Sequence, residues 1–371
     1  MTAPALEIAV RTHVADVDAA AWDACAAGRR FASHRWMLLT EEVATTFVPR
    51  YVVATRGTTL AGVAVCALDR LGNPAGYRRS ALALAVARVL RRVLPTVACE
   101  LPIPFLPGLV VAGGGASDDA ERVVAALLRR TETLAAAAHA PSVRMAHLGA
   151  DEPWLARALA TAGFRAEAGL PNMRLDVAWP TVAAWEAWLP HKKRSELRRV
   201  RRRATEAGLA IDLGGPRDDA DPALRRMIRA VILRHAALDP WVEDLLPRVR
   251  RRLGDDLVLL VARAGRRPVG CLALLRSQDE MLLKWPGLDH APARATFAYR
   301  SLLAAAVEQA IAHGARRLWL GPTAYELKRD LGAVPVARQV LVRERGRVVH
   351  WLARRAGAGR PAAAAASGAR P

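Results

Sequence analysis

A repeated turn pattern is the sequence feature that most restricts the fold of this chain. The pattern VAxxGxxxxG begins at Val53 and again, with identical spacing, at Val261. Apolar segments flank both copies, and in the first copy they span Tyr51–Ala54 and Leu60–Leu68. A glycine-containing turn between two short apolar runs is typical of a β-hairpin. The sequence therefore predicts the same hairpin twice.

The order of the predicted elements after each hairpin is also the same. Both copies continue with a helix, a short apolar strand and a second helix: Asp119–Ala138, Val143–Leu148 and Glu152–Ala162 in the first, and Phe297–Gly314, Leu318–Leu320 and Ala324–Leu331 in the second. The turn pattern alone could recur by coincidence, but the shared order favours duplication of one α/β unit. A solenoid needs at least three shorter repeats.

The repeat predicts an α/β chain with mixed sheets and two domains of similar architecture. We place the first domain at residues 1–178 and the second at residues 179–353. Residues 354–371 are rich in alanine, glycine and arginine, and this low complexity predicts a disordered tail. Between the domains, Met173–Val177 is interpreted as part of a linker that leads into a helix from Thr181.

The formal net charge of +20 comes almost entirely from arginine. An arginine, alanine and glycine bias also fits a GC-rich genome, so the charge by itself does not assign a nucleic-acid-binding function. A basic surface still favours polyanions such as coenzyme phosphates, RNA or anionic lipid headgroups.

The four cysteines are widely separated and lack a CxxC pair, so neither a zinc site nor a disulfide framework is predicted, and no metal is expected. The N-terminal residues do not resemble a signal peptide, and no apolar run is long enough to span a bilayer. Together these features predict a protein of the reducing cytoplasm. Peripheral contact with the inner face of the membrane is left open.

Two basic segments are predicted to form helices. Tyr77–Pro95 places arginines among leucine, valine and alanine, a pattern that suits either an anionic membrane surface or packing on its own domain. His191–Arg203 is the most basic stretch, and its cations form a broad helical face. Such a face either contacts phosphates or is simply solvated.

The stretch Phe297–Gly332 is predicted to hold the functional site. Its short strand ends at Gly321-Pro322, and the following helix carries Tyr325 and Lys328 one turn apart on one face. Polar groups at the mouth of a sheet commonly bind ligands. The alternative is that Tyr325 packs in the core and Lys328 is solvated.

The order of hairpin, third strand, loop, helix, strand and helix resembles the core of the GNAT N-acyltransferase superfamily. The segment Leu320–Lys328, with Lys193-Arg194 and Gly332, looks like the FemAB/BioF2-like, peptidoglycan-biosynthesis-related branch, whose members usually contain two such domains. This resemblance implies tandem GNAT-like acyltransferase domains. The duplication suggests that one copy kept the chemistry, and the pair of Tyr325 and Lys328 leads us to choose the second copy and to interpret the first as degenerate.

The resemblance also implies a coenzyme A pyrophosphate site in the loop before the long helix, here His290–Thr296. The superfamily uses a glycine-rich Arg/Gln-x-x-Gly-x-Gly/Ala pattern whose backbone amides bind phosphate. This loop has no glycine and contains Pro292, which departs from that pattern. Four residues remain candidates for cofactor contact at the start of the helix: Arg294, Ala295, Thr296 and Arg300.

For the chemistry, Tyr325 resembles the superfamily's general-acid tyrosine. Lys328 and Lys284 are candidates for stabilising oxyanion charge or holding phosphate. The candidate general bases are Asp289, His290 and Glu326.

We therefore expect an acyltransferase that moves an acetyl, acyl or aminoacyl group to an amine or hydroxyl acceptor. No permanently bound cofactor is expected, and the donor substrate is acyl-CoA, such as acetyl-CoA, or aminoacyl-tRNA. The acceptor is a small molecule or a cell-wall precursor. The competing hypothesis is a non-catalytic GNAT-like protein that binds RNA or an anionic membrane through its arginine-rich helices.

Overall fold

The computed structural model describes residues 4–44, 48–69, 95–235 and 242–346. Three predicted stretches reach outside these ranges. They are residues 77–94 of the basic helix, the tail 354–371, and Trp241, at which the sequence predicts that a later helix begins. The described chain forms two compact units, one from residues up to Leu170 together with those from Ala337 onward, the other from Pro171–Val336.

The first unit is built on a nine-stranded mixed sheet with the order β1-β2-β3-β4-β7-β16-β8, where β5 pairs with β4 and β6 with β3. Its strands are β1 (Leu6–Arg11), β2 (Pro49–Arg56), β3 (Thr59–Asp69), β4 (Thr96–Leu101), β5 (Leu106–Pro107), β6 (Leu109–Val111), β7 (Ser142–Gly149), β8 (Arg165–Ala168) and β16 (Arg338–Glu344). Its helices are α1 (Ala19–Cys25), α2 (His34–Val43), α3 (Asp118–Ala137) and α4 (Pro153–Thr161).

The second unit is built on a seven-stranded mixed sheet with the order β10-β11-β12-β13-β14-β9-β15. Its strands are β9 (Asn172–Asp176), β10 (Leu209–Gly214), β11 (Leu257–Ala264), β12 (Arg267–Ser277), β13 (Glu280–Leu288), β14 (Arg317–Gly321) and β15 (Val334–Val336). Its helices are α5 (Val182–Trp188), α6 (His191–Glu206), α7 (Pro216–Asp219), α8 (Pro222–His235), α9 (Leu245–Leu253), α10 (His290–Ala295), α11 (Ala298–Ala312) and α12 (Tyr325–Arg329).

The repeated hairpin is confirmed in both units. Strand β2 pairs antiparallel with β3, and β11 pairs antiparallel with β12. In each copy the next strand is joined by a parallel pairing to the strand that follows the long helix, β4 to β7 and β13 to β14. The α/β architecture with mixed sheets is therefore the observed fold.

The division between the units differs from the predicted ranges 1–178 and 179–353. Residues Met173–Val177 were interpreted as linker, but β9 pairs antiparallel with β14 inside the second sheet. Strand β16, placed by the sequence in the second domain, lies between β7 and β8 of the first sheet. Both strands are held by pairings with residues distant in the sequence, which local patterns do not reveal.

Two local predictions at the end of β13 were wrong. The sequence predicts a strand over Met281–Trp285 that is broken by Pro286-Gly287, but the strand continues to Leu288 in register with β12. Beyond Leu282 the described residues pair β13 only with β12, so the opposite edge of β13 has no strand partner there. Pro286 is tolerated because no hydrogen bond to a second strand is lost at that edge. The predicted loop His290–Ala295 is the short helix α10, in which Pro292 occupies the first turn, where its missing amide hydrogen is not needed.

The core of the second unit lies between its sheet and α11. Leu302, Leu303, Ala306, Val307 and Ala310 form the buried stripe of this helix, at the spacing that the sequence predicts. This packing fixes the start of α11 and the end of β14 next to the point where β13 and β14 separate.

Candidate active site

Strands β13 and β14 diverge and leave a gap in the second sheet. Their parallel pairing runs from Glu280 and Arg317 to Leu282 and Trp319 and stops there. Gly321 follows shortly after on β14, in the left-handed conformation with φ of 75°. A Cβ atom at Gly321 would meet no heavy atom nearer than the carbonyl oxygen of Leu283, at 3.9 Å. We call this gap the mouth of the second unit.

A strained loop borders this mouth after β14. Thr323 and Ala324 both have positive φ values, 73° and 48°, which residues with a Cβ atom adopt only at a cost of about 1–2 kcal/mol each. Such a conformation persists only where surrounding contacts stabilise it. Those contacts come from Lys328.

Lys328 is almost completely buried, with 2% of its surface exposed. Its Nζ donates hydrogen bonds to the carbonyl oxygens of Gly321, Pro322 and Thr323 at 3.0, 3.0 and 2.7 Å. Burial lowers the pKa of Lys328 to about 7. The amine has three hydrogens when protonated and two when neutral, and the three carbonyl oxygens accept all of them in either form, so the side chain holds the loop and has no hydrogen left for a substrate oxyanion.

Tyr325 lies at the start of α12 and is half-buried. Its hydroxyl donates to the carbonyl oxygen of Pro171 at 3.2 Å, at the start of β9. Burial raises the pKa of Tyr325, while the Thr323 backbone and Arg329 act in the opposite direction. The phenol therefore stays protonated at neutral pH, as a general acid requires.

The remaining predicted catalytic residues lie in other surroundings. Lys284 is the extra residue of a bulge in β13 and is half-buried. Asp289 directly precedes α10, makes no side-chain capping bond and accepts a hydrogen bond from Arg267 at 2.7 Å, while His290 is exposed on α10. Glu326 is largely exposed and pairs with Arg329 at 2.5 Å.

The predicted cofactor-binding residues form part of a helical segment and not an open amide loop. Arg294 and Ala295 are exposed on α10, and the buried Thr296 donates its hydroxyl hydrogen to the Pro292 carbonyl oxygen at 2.8 Å. The backbone amides of Ala293, Thr296 and Phe297 are already bonded to carbonyls within this segment. Arg300 is drawn towards α6, where it pairs with Glu196 at 2.5 Å.

Several groups at the site have no signal in the sequence. The Pro171 carbonyl oxygen is a backbone group brought to Tyr325 by the pairing of β9. The neighbouring side chain of Asn172 is 4% exposed, and its Oδ1 has no hydrogen-bond partner among the described residues. The positive φ values of Thr323 and Ala324 belong to residue types that rarely adopt them.

The sequence of residues 191–329 matches the family model described as an acetyltransferase (GNAT) domain. This match lies inside the second unit and covers the diverging strands, α11 and Tyr325. The second unit contains a GNAT domain. No curated protein matches the sequence significantly.

Solved structures share the fold over nearly the whole chain. FemX covers 91% of this chain and 98% of its own at 12% identity, with a TM-score of 0.58. A tandem GNAT protein from the clavulanic acid biosynthesis pathway covers 92% and 99% at 14% identity, with a TM-score of 0.55. The C-terminal domain of a putative lysylphosphatidylglycerol synthetase from Agrobacterium fabrum covers 86% and 90% at 13% identity, with a TM-score of 0.51. The chain thus has a tandem GNAT fold, of which the GNAT domain is the second copy.

Two further findings concern the described residues as a whole. None of their helices combines the length and the apolar character that a membrane crossing requires. They also hold no group of three or more His, Cys, Asp or Glu side chains arranged to bind a metal ion.

Proposed function

We propose that the GNAT domain of this chain transfers an aminoacyl or acyl group, carried as an ester or thioester, to an amine or hydroxyl acceptor at the mouth between β13 and β14. The observation that carries the proposal is the divergence of these strands after Leu282 and Trp319, together with the position of Tyr325 four residues after Gly321, where β14 ends. Beyond Leu282 the described residues pair β13 only with β12, and an extended donor can lie along the other edge as an extra strand would.

The chemistry follows from the state of Tyr325. The acceptor nitrogen or oxygen attacks the donor carbonyl carbon, a new bond forms there, and the bond to the leaving sulfur or oxygen breaks. Tyr325 supplies a proton to the leaving atom, and the proton lost by the acceptor restores the phenol, so the charges balance. The raised pKa of Tyr325 keeps it protonated before the reaction begins.

Lys328 acts in this proposal as a positioning residue. Its three hydrogen bonds hold the loop from Gly321 to Thr323, which leads directly into Tyr325. A fixed loop orients Tyr325 without further ordering when the substrate binds.

Between the two donor classes, the segment before α11 favours aminoacyl-tRNA. A coenzyme A pyrophosphate is held by free backbone amides in this fold family, whereas here the amides of Ala293, Thr296 and Phe297 are bonded within the segment, and Pro292 has none. One solved neighbour is the C-terminal domain of a protein titled a putative lysylphosphatidylglycerol synthetase. The basic residues of α6 suit an RNA backbone.

The test is a thermal-shift titration of the full chain with acetyl-CoA, a longer acyl-CoA, and aminoacylated or deacylated bulk tRNA. A ligand that binds only the folded state raises the melting temperature. We expect stabilisation by tRNA that is stronger when the tRNA is charged. Stabilisation by acyl-CoA alone would overturn the assignment of aminoacyl-tRNA as the donor, but it would remain consistent with acyltransferase activity. An equal response to both tRNA forms, abolished by salt, would favour the non-catalytic alternative.

The variant Tyr325→Phe tests the chemistry separately from binding. Loss of the acidic proton is expected to lower the rate of transfer by about 10²- to 10⁴-fold, because positioned acid catalysis contributes that much. Donor-induced stabilisation should stay unchanged, because the hydroxyl is a single polar group at one end of the site. Full turnover by this variant would exclude Tyr325 as the acid.

A further inference from the structure

A second concave site lies in the second unit, between the first two turns of α6, the first turn of α11 and the end of α12. It is a cavity of about 530 Å³, within the range of small-molecule sites. Six side chains that line it carry the argument: Lys192, Lys193, Glu196 and Arg199 on α6, Arg300 on α11 and Asp330 after α12.

The charges at the start of α6 run against helix stability. The first turn of this helix contains no acidic residue, and its N-cap, Pro190, makes no side-chain capping bond. The positive end of a helix dipole favours anions, yet Lys192 and Lys193 stand there. Lysines at this position disfavour the isolated helix, and an anion bound beside them would remove that penalty.

The two carboxylates of the cavity are anions that its cationic side chains already bind. Glu196 accepts hydrogen bonds from Arg199 at 2.7 and 2.6 Å and from Arg300 at 2.5 Å. These guanidinium groups, Arg199 first, lower the pKa of Glu196. Asp330 pairs with Lys193.

Four cationic side chains therefore face two carboxylates, so the cavity keeps a net positive charge. Lys192 is exposed and forms no ion pair among the described residues. Guanidinium forks and ammonium groups gathered in one concave site are the donor set that proteins use for phosphate.

An exposed aromatic residue adjoins this site. Trp188 ends α5 just before Pro190, is 54% exposed, and its ring lies 4.8 Å from that of Trp179, centroid to centroid. The ring also covers Gly332, two residues after Asp330. An exposed tryptophan next to cations suits both a soluble ester with an apolar part and a lipid at the membrane surface.

We propose that this cavity binds a phosphate group, carried either by a soluble phosphate ester or by a phospholipid headgroup. The phosphate oxygens interact with Lys192 and Lys193 and share the guanidinium groups that hold Glu196. The proposal concerns binding alone, and its probes contain neither tRNA nor an acyl donor, so its failure can be told apart from a failure of the proposed function.

The experiment uses two double variants of the full chain that each remove two positive charges. Lys192→Ala with Lys193→Ala alters the cavity. Arg198→Ala with Arg251→Ala is the matched control, because both arginines are exposed and neither lines the cavity. The probes are inorganic pyrophosphate, followed by calorimetry, and vesicles of phosphatidylglycerol or phosphatidylcholine, followed by co-sedimentation.

We expect the cavity variant to weaken binding of at least one anionic probe by about tenfold or more, whereas the control changes it by less than about twofold. Pyrophosphate binding without vesicle binding identifies a soluble ester as the source. Binding to phosphatidylglycerol but not phosphatidylcholine, lost in the cavity variant, identifies a lipid headgroup.

Equal losses in both variants would overturn the site, since they would reflect overall charge, and so would the absence of binding to every probe. If the double cavity variant proves unstable, the exposed Lys192→Gln change alone serves in its place, with Arg198→Gln as its control. Thermal melting of each variant without ligand establishes that it is folded.

Discussion

The two units carry the same opening between strands of their sheets, but the residues beside the two openings differ. In the first unit, β4 and β7 separate after Cys99 and Met145, as β13 and β14 separate after Leu282 and Trp319. Two residues further along, the first unit has His147 and the second has Gly321. Both positions are left-handed, with φ of 63° and 75°.

The imidazole at this position closes the mouth of the first unit. His147 pairs with Glu100 of β4 at 3.2 Å, and the ring of Phe105 lies 5.3 Å from it, centroid to centroid. The chain after β4 also returns as β5, which pairs with Leu101 and Glu100. The fold supplies the opening, therefore, and a few side chains decide whether it is available to a ligand. This difference explains why the second copy holds the candidate site.

The largest effect is expected from Gly321→His, which gives the opening of the second unit the residue found in the first. The imidazole should occupy the gap and lower both the rate of transfer and the affinity for the donor by about 100-fold or more. Left-handed strain should cost only about 1–2 kcal/mol of stability. Gly314→His is the matched control, because Gly314 is also left-handed, with φ of 62°, and a Cβ there meets no atom within 4 Å. Retained donor binding in Gly321→His would contradict the location of the site.

A smaller effect is expected from Lys328→Met, which removes the group that holds the second mouth in shape. Three carbonyl oxygens lose their donor, and the free energy of unfolding should fall by on the order of 2 kcal/mol. Chemical denaturation of both proteins measures this difference.

The pH dependence of that difference tests the state of Lys328. Its pKa is about 7 when folded, below the 10.5 of an unperturbed lysine, so between these values the unfolded chain binds the extra proton. The free energy of unfolding therefore rises with pH between about 7 and about 10.5. The contribution of Lys328 to this free energy is lost as pH falls from about 10.5 towards about 7. The native protein should show this slope and Lys328→Met should not. Parallel pH profiles would mean that the ammonium keeps its charge throughout.

The smallest effect is expected from His147→Gly in the first unit. Relief of left-handed strain stabilises, whereas loss of the pair with Glu100 and the added freedom of glycine destabilise, so the free energy of unfolding should change by less than about 1 kcal/mol. Transfer by the GNAT domain should stay within about twofold of the native rate. A large loss of transfer would show that the first unit takes part in the chemistry.

Local patterns in the sequence predicted most of the fold. Apolar periodicity located α11, and the glycine spacing located both hairpins, because these features depend on neighbours in the chain. The same patterns failed for β9, whose partners lie far away in the sequence. They also failed at Pro286, which is an interruption only in a strand paired on both sides.

The candidate site was predictable only in part. The sequence placed Tyr325 and Lys328 together, but the direction of the lysine depends on Thr323 and Ala324 adopting left-handed conformations that their residue types disfavour. The basic face of α6 was predicted as a helix, on which Glu196 and Arg199 pair one turn apart, while the contact of Glu196 with Arg300 depends on how α6 packs on α11. Side-chain direction at a site is thus a property of tertiary packing.

The return of β16 to the first sheet has a consequence for synthesis on the ribosome. The second unit is continuous from Pro171 to Val336 and is able to fold as soon as it has emerged. The first unit begins earlier but lacks β16, which separates β7 from β8 and is the only described partner of β8. The half of the protein that is made first is therefore the half that is completed last.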